Sequence, residues 1–378
     1  MNDWIIEGGE VLGEGGLAPA ALALSEGVLS EAPSRAARRF DARGCWVLPG
    51  IIDIHGDAHE RGLQPRPGVG FDAGFALEES ARQIIGCGIT TAYLGVTLSW
   101  EPGLRSLAAF RALLKAPRPT GPDLRIHLRF EADNFDALPD AIAAIGLGRV
   151  HLLGFNDHTP SISKHAPDSV KLAKFADRAG VPAAEIHALA AAAMARRAAE
   201  LVPGRDALAA AARAAGIPML SHDDASPETR AMFRGLGAGI CEFPVVEEVA
   251  LDARAHAEPV VMGAPNVVRG GSHLGWSSAA PLAERGVVTV LASDYHWPAL
   301  FMAPFIMMRR GVLDVAGAWA LVSANPAAAL GLKDRGALKP GLRGDVVLVE
   351  GGKDAPKPVA VFAEGELAWI APGAAGRM

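Results

Sequence analysis

Short apolar runs recur through the middle of the chain, and most of them stop at a polar or charged residue. Eight read as strands: Val47–Ile54, Ile89–Val96, Leu124–Glu131, Val150–Phe155, Ile217–His222, Ile240–Pro244, Val260–Pro265 and Val287–Asp294. The first is mostly apolar and β-branched, as suits a strand covered on both faces. Helical spacing fills several of the gaps, at Ala76–Ile85, Leu104–Leu114 and Pro281–Glu284. Strands alternating with helices predict a (β/α)8 barrel over about residues 47–339. An open doubly wound sheet is the alternative, but no GxGxxG follows a first strand. The longest connection, about 158–216, holds an Ala-rich helical pattern at Ala183–Glu200. It reads as an insertion on the barrel's C-terminal face, with a partner-binding helix as the competing reading.

The two ends follow another pattern. Trp4–Ile6, Val11–Leu12, Ala21–Leu29 and Ala42–Val47 are short strand-like runs separated by glycines or polar residues. Arg343–Val349 and Val359–Phe362 answer them at the C-terminus. Residues 1–46 and 340–378 are therefore expected to combine into one small composite β-sandwich.

Composition narrows the function. With 378 residues, half of them hydrophobic, the chain can bury a large core without disulfide support. A net charge of −6 argues against a sequence-independent nucleic-acid binder and leaves room for local basic pockets. Cys45, Cys87 and Cys241 are scattered and form no CxxC pair, which fits a reducing, cytoplasmic setting. No basic leader with an apolar h-region opens the sequence, and no apolar run reaches membrane-spanning length, so no membrane partner is expected.

In such a barrel the chemistry sits where strands end. The first strand ends in His55 and Asp57, the third in Glu131, the fourth in Asn156-Asp157-His158, and the fifth in Ser221-His222-Asp223-Asp224. The sixth carries Glu242, the seventh Asn266, and the eighth Ser293-Asp294-Tyr295-His296. Any one of these could be a helix cap or a satisfied core side chain; titratable groups at nearly every strand end are harder to explain by packing. Three imidazoles (His55, His158, His222) and three carboxylates (Asp57, Glu131, Asp294) would suit two divalent ions bridged by Glu131. Zinc is the first choice, with manganese or iron as alternatives. Two close ions lower the pKa of a shared water and stabilise attacking and leaving oxygens, and Asp294 would take the proton. Asp223 and Asp224 read equally well as caps or as partners that orient His222.

A second group is basic and glycine-rich: Pro65-Arg66-Pro67 after the first strand, and Asn266 through Arg269-Gly270-Gly271-Ser272-His273 after the seventh. Arginine grips phosphate in bidentate fashion, and barrel enzymes often bind phosphate near their last loops. Arg66 and Arg269 are the expected phosphate contacts, with Asn266, His273 and Tyr295 beside them.

Strand one ending in His, Asp closing strand eight, and a sandwich made from both ends resemble the amidohydrolase superfamily. More narrowly, Leu48-Pro49-Gly50-Ile51-Ile52-Asp53-Ile54-His55-Gly56-Asp57, His127-Leu128-Arg129-Phe130-Glu131, Asp157-His158-Thr159-Pro160, Ser221-His222-Asp223-Asp224-Ala225 and Met262 through His273 are similar to the α-D-ribose 1-methylphosphonate 5-triphosphate diphosphatase family of the carbon–phosphorus lyase pathway. The chain departs from the superfamily pattern in three places. His55-Gly56-Asp57 replaces His-x-His, Glu131 replaces a carboxylated Lys, and Glu242 stands where many members have His, so that His158 would fill the gap. The resemblance implies a phosphorylated small-molecule substrate, cleavage between the α and β phosphorus of a ribose 5-triphosphate, release of pyrophosphate, and a protein that can be a homodimer. A deaminase or cyclic-amide hydrolase on the same scaffold is the rival activity. A barrel retained as a binding or assembly module is the non-enzymatic one.

Overall fold

The computed structural model describes residues 3–166, 168–270 and 279–378. Five strands open the chain: β1 (Trp4–Gly13), β2 (Gly16–Ser25), β3 (Val28–Ser30), β4 (Arg38–Asp41) and β5 (Cys45–Pro49). Eight follow: β6 (Ile51–Gly56), β7 (Ile89–Leu98), β8 (Asp123–Glu131), β9 (Leu152–Asn156), β10 (Met219–His222), β11 (Ile240–Glu242), β12 (Val260–Gly263) and β13 (Val290–Ala292). β14 (Val346–Glu350), β15 (Lys357–Ala363) and β16 (Glu366–Ile370) end the chain.

The first predicted strand is in fact two. β5 pairs with β14 and β1, whereas β6 pairs with β7, so the chain changes sheets at Gly50. A Cβ there would stand 2.2 Å from Thr90 Oγ1 and 2.9 Å from Asp345 Cβ, so only glycine fits where the two sheets meet. β6 to β13 pair in parallel, each with its sequence neighbour, from one end of the barrel sheet to the other. The ends meet at a seam. At the C-terminal mouth Gly56 bridges Asp294, and Asp294 N–H donates to the His55 carbonyl at 2.9 Å. Lower down the Leu321–Val322 segment fills the gap, its carbonyls accepting from Leu291 and Ile52. The result is a nearly closed (β/α)8 barrel.

Strand alternation explains the barrel's two faces. On β8, Leu124, Ile126, Leu128 and Phe130 join the large core under the helices. Arg125, His127, Arg129 and Glu131 face the other way. Ile52, Leu152, Leu220, Val261 and Val290 fill the lower interior with Ala327 and Leu330. The apolar filling stops where the polar ladder of β8 begins.

The chain ends form an eight-stranded, mostly antiparallel sheet. It curls back on itself: Val28 bridges Arg343, and Leu29 N–H donates to the Leu342 carbonyl at 2.8 Å. Trp4, Phe40, Val47, Leu348 and Phe362 pack in the core so enclosed.

Strand boundaries shrink towards the later strands. Val260–Pro265 stops at Gly263, because Ala264–Arg269 is a short helix. The predicted insertion is also only partly one. A single helix runs from Ala183 to Ala215. Its front half packs with Ile162 and Leu172, while Leu208, Ala209 and Ala212 belong to the barrel's own core. The last turns are thus the ordinary crossover between β9 and β10. Among the described residues no helix is long and apolar enough to cross a membrane.

Candidate metal centre

The strand ends bring His55, Asp57, Arg129, His222, Glu242 and Asp294 to one mouth of the barrel. Three of the residues that turn the chain there have a left-handed backbone: Asp223 (φ 59°), Phe243 (φ 52°) and Asp294 (φ 55°). Aspartate tolerates that region; phenylalanine does so at a cost of about 1 kcal/mol or more. Each N–H still pairs across the sheet, to Glu242, Val261 and His55 carbonyls respectively, so the barrel holds the strained turns in place.

Glu242 is the centre of the arrangement. It is fully buried, and its Oε2 lies 2.8 Å from His222 Nδ1, within hydrogen-bond distance. Its Oε1 lies 2.9 Å from His55 Nδ1. That close pair is not aligned as a hydrogen bond, and both atoms are buried without a hydrogen-bond partner. Two orphaned lone-pair donors that converge but do not bond are what a shared cation requires. His55, His222 and Glu242 form one set able to hold an ion, and His55, Asp57 and Asp294 a second that shares His55. The donor set, nitrogen and oxygen without sulfur, fits a divalent cation of the zinc or manganese type. Burial opposes ionisation of Glu242, but the His55 and His222 imidazoles hold it well below the usual carboxylate range.

Glu131 is placed differently. Its Oε1 accepts from the backbone of His158 (2.7 Å) and Thr159 (3.0 Å) and from Thr159 Oγ1 (3.0 Å). Its Oε2 meets His158 Nδ1 at 3.0 Å. Burial works against ionisation, yet these donors bring its pKa down to about 2. With that set of bonds Glu131 orients His158, and it also forms a separate group with Asp133 and Asp157 that could hold an ion, while Glu242 stands between the imidazoles of His55 and His222. His158 groups instead with His222 and Asp223. Burial would discharge it, but Asp223 and Glu131 raise its pKa to about 9.

No family model matches the chain. Among curated proteins, it is 33% identical over 328 residues to the α-D-ribose 1-methylphosphonate 5-triphosphate diphosphatase of Escherichia coli (strain K12), over 84% of this chain and 87% of that one. The chain belongs to that diphosphatase family. Solved structures similar in fold include an amidohydrolase (TM-score 0.61, 15% identity, 98% of this chain and 100% of that one). A Xaa-Pro dipeptidase with bound methionine (0.65, 13%, 98% and 100%) and the dihydropyrimidinase of Brevibacillus agri NCHU1002 (0.57, 12%, 97% and 94%) share it as well. These likenesses show that this diphosphatase-family chain shares its fold with the solved amidohydrolase.

The remaining candidates scatter more widely. Asp294 lies at the mouth, where burial, with Asp57 and Glu242 nearby, raises its pKa to about 6 against the pull of His55 and Arg129. A Cβ on Gly263 would lie 3.5 Å from Asp294 Oδ2 and 3.8 Å from Asn266 Nδ2, which puts Asn266 at the same edge. Arg269 Nη1 reaches Tyr295 Oη at 3.5 Å, linking the loops after β12 and β13. Arg66 is exposed on the loop after β6, its backbone bridging Val69. His273 lies outside the described residues. Asp224 turns away to Ser221 and the fully buried Arg230, which also holds Glu258, so it braces β10 from below.

Two site residues escaped the sequence reading. Arg129 is nearly buried, with Nη2 donating to His222 Nε2 at 3.0 Å and Nη1 lying 3.5 Å from Asp57. His127 lies beneath it with both ring nitrogens unpartnered, its ring 5.1 Å from that of His55. Both lie on the polar face of β8, at two-residue steps from Glu131, and that alternation was the available signal.

Proposed function

We propose that this chain hydrolyses the phosphoanhydride between the α and β phosphorus of α-D-ribose 1-methylphosphonate 5-triphosphate, giving the 5-phosphate and pyrophosphate. The match to the Escherichia coli diphosphatase along most of the chain carries this reading. His55, His222 and Glu242, with Asp57 and Asp294, would hold the divalent ions. Bound there, such ions would supply Lewis acidity towards the phosphoryl oxygens and acidify a water.

The chain's own residues do the rest. Asp294, at the seam between β6 and β13, accepts the proton of the attacking water as its oxygen bonds to the α phosphorus. The bond from the α phosphorus to the bridging oxygen breaks, and pyrophosphate leaves with the electron pair. Arg269, the last residue of the short helix after β12, is the cation we assign to receive that pyrophosphate. Arg129 fixes His222 and Asp57 relative to one another.

The test is pyrophosphate release by protein loaded with zinc or manganese. Release from the ribose triphosphate, with no action on cytosine, adenine or hydantoin-type compounds, supports the reading. Turnover of the ring compounds alone would replace it by amide hydrolysis.

A further inference from the structure

A pocket of about 350 Å³ opens beside the metal centre, sharing His158, His222 and Asp223 with it. Its outer wall is the helix Ala183–Ala215, which presents Arg197, Leu201, Arg205 and Leu208 along one stripe. The opposite wall is apolar and includes Phe155 and Phe233, whose rings stack at 5.5 Å.

Among the described residues, the charges lining this pocket are paired, with one exception. Arg197 binds Asp133 (2.5 Å) and Asp157 (2.5 Å). Asp223 faces His158 and His222, and Asp224 is held by Ser221 and Arg230. Arg205 is half-buried, and its Nε is fully buried with no hydrogen-bond partner. An N–H withdrawn from water with no acceptor is costly unless a ligand anion completes it, and the rest of the guanidinium is left open to such a ligand.

We infer that Arg205 receives the phosphonate group of the substrate, with the methyl carbon against the apolar wall. This rests on the reaction proposed above and assigns the substrate's two charged ends to opposite sides of the site. A pyrophosphate or triphosphate tail carries several charges and needs several cations; here, among the described residues, one cation without an ion-pair partner stands among carboxylates and aromatic rings. A methylphosphonate offers a compact anion joined to an apolar carbon, which matches both features.

The test titrates methylphosphonate alone into metal-loaded protein and its Arg205→Gln variant, followed by calorimetry or phosphorus NMR. The variant should bind at least about tenfold more weakly, and Arg205→Lys should recover part of the loss. In kinetics, Arg205→Gln should raise KM for the phosphonate-bearing triphosphate by about tenfold and leave KM for ribose 5-triphosphate within about twofold. An unchanged thermal midpoint shows that the variant folds. Unchanged methylphosphonate binding, or equal KM losses on both triphosphates, overturns the assignment. If wild-type protein releases no pyrophosphate from either compound, the proposed reaction falls, and the titration still decides for or against the Arg205 site.

Discussion

His55 Nδ1 and Glu242 Oε1 approach to 2.9 Å at the floor of the barrel mouth without forming a hydrogen bond. They come from β6 and from β11, so the barrel must be intact for the pair to exist. Glu242→Gln keeps the volume and removes the charge. Divalent-ion affinity should fall at least about tenfold, with the far-ultraviolet spectrum unchanged. Metal content after dialysis against limiting zinc or manganese checks this; full occupancy in the variant would mean the ion sits elsewhere.

Asp294 is the expected proton acceptor. Asp294→Asn should lower kcat by about 10²-fold or more and keep most of the bound metal. Normal turnover by the variant would give the role to another group.

Gly154 lies on β9 against the buried His127, and a Cβ there would come within 2.6 Å of His127 Nε2. The imidazole is fixed between strands and has little room to yield. Gly154→Ala should cost about 1–3 kcal/mol in urea unfolding and perturb metal binding through the His55 ring. A stability equal to wild type would show that the ring moves aside freely.

His151 reports on pH far from the metal. Its Nδ1 accepts from Ile126 N–H at 3.1 Å, which a protonated ring cannot do. Burial, with Arg125 and Arg118 nearby, lowers its pKa to about 4. The unfolded chain therefore takes up a proton at a higher pH than the folded one does. The stabilisation is complete above about 6.5 and is lost as pH falls towards about 4, by up to about 2 kcal/mol after allowing for partial exposure. In His151→Gln this component of the acid destabilisation should vanish; identical slopes for both proteins between pH 7 and 4 would refute it.

The strands, their alternation with helices and the pairing of the two ends were legible because burial on both faces leaves long apolar runs. Gly50 was read as part of one strand, since the sequence does not show that Thr90 and Asp345 crowd it from two sheets. Asp57 and Asp294 come together with His55 at the mouth, because a strand end fixes both position and direction. Glu131 and Glu242 look alike in sequence. What separates them is the backbone of His158 and Thr159, which turns its N–H groups onto Glu131 and leaves Glu242 to the imidazoles. Arg129 went unread as a site residue although its two-residue spacing from Glu131 was visible.

β5 lies between β1 and β14, with Glu10 opposite Trp46 on one side and Cys45 opposite Glu350 on the other. During synthesis the ribosome delivers β5 early and β14 almost last. That edge stays uncovered while the whole barrel emerges, and such an unpaired edge invites association with other nascent copies. Completion of the terminal sheet is therefore a late folding event set by distant contacts, and the last strands of the chain act as a seal on its first ones.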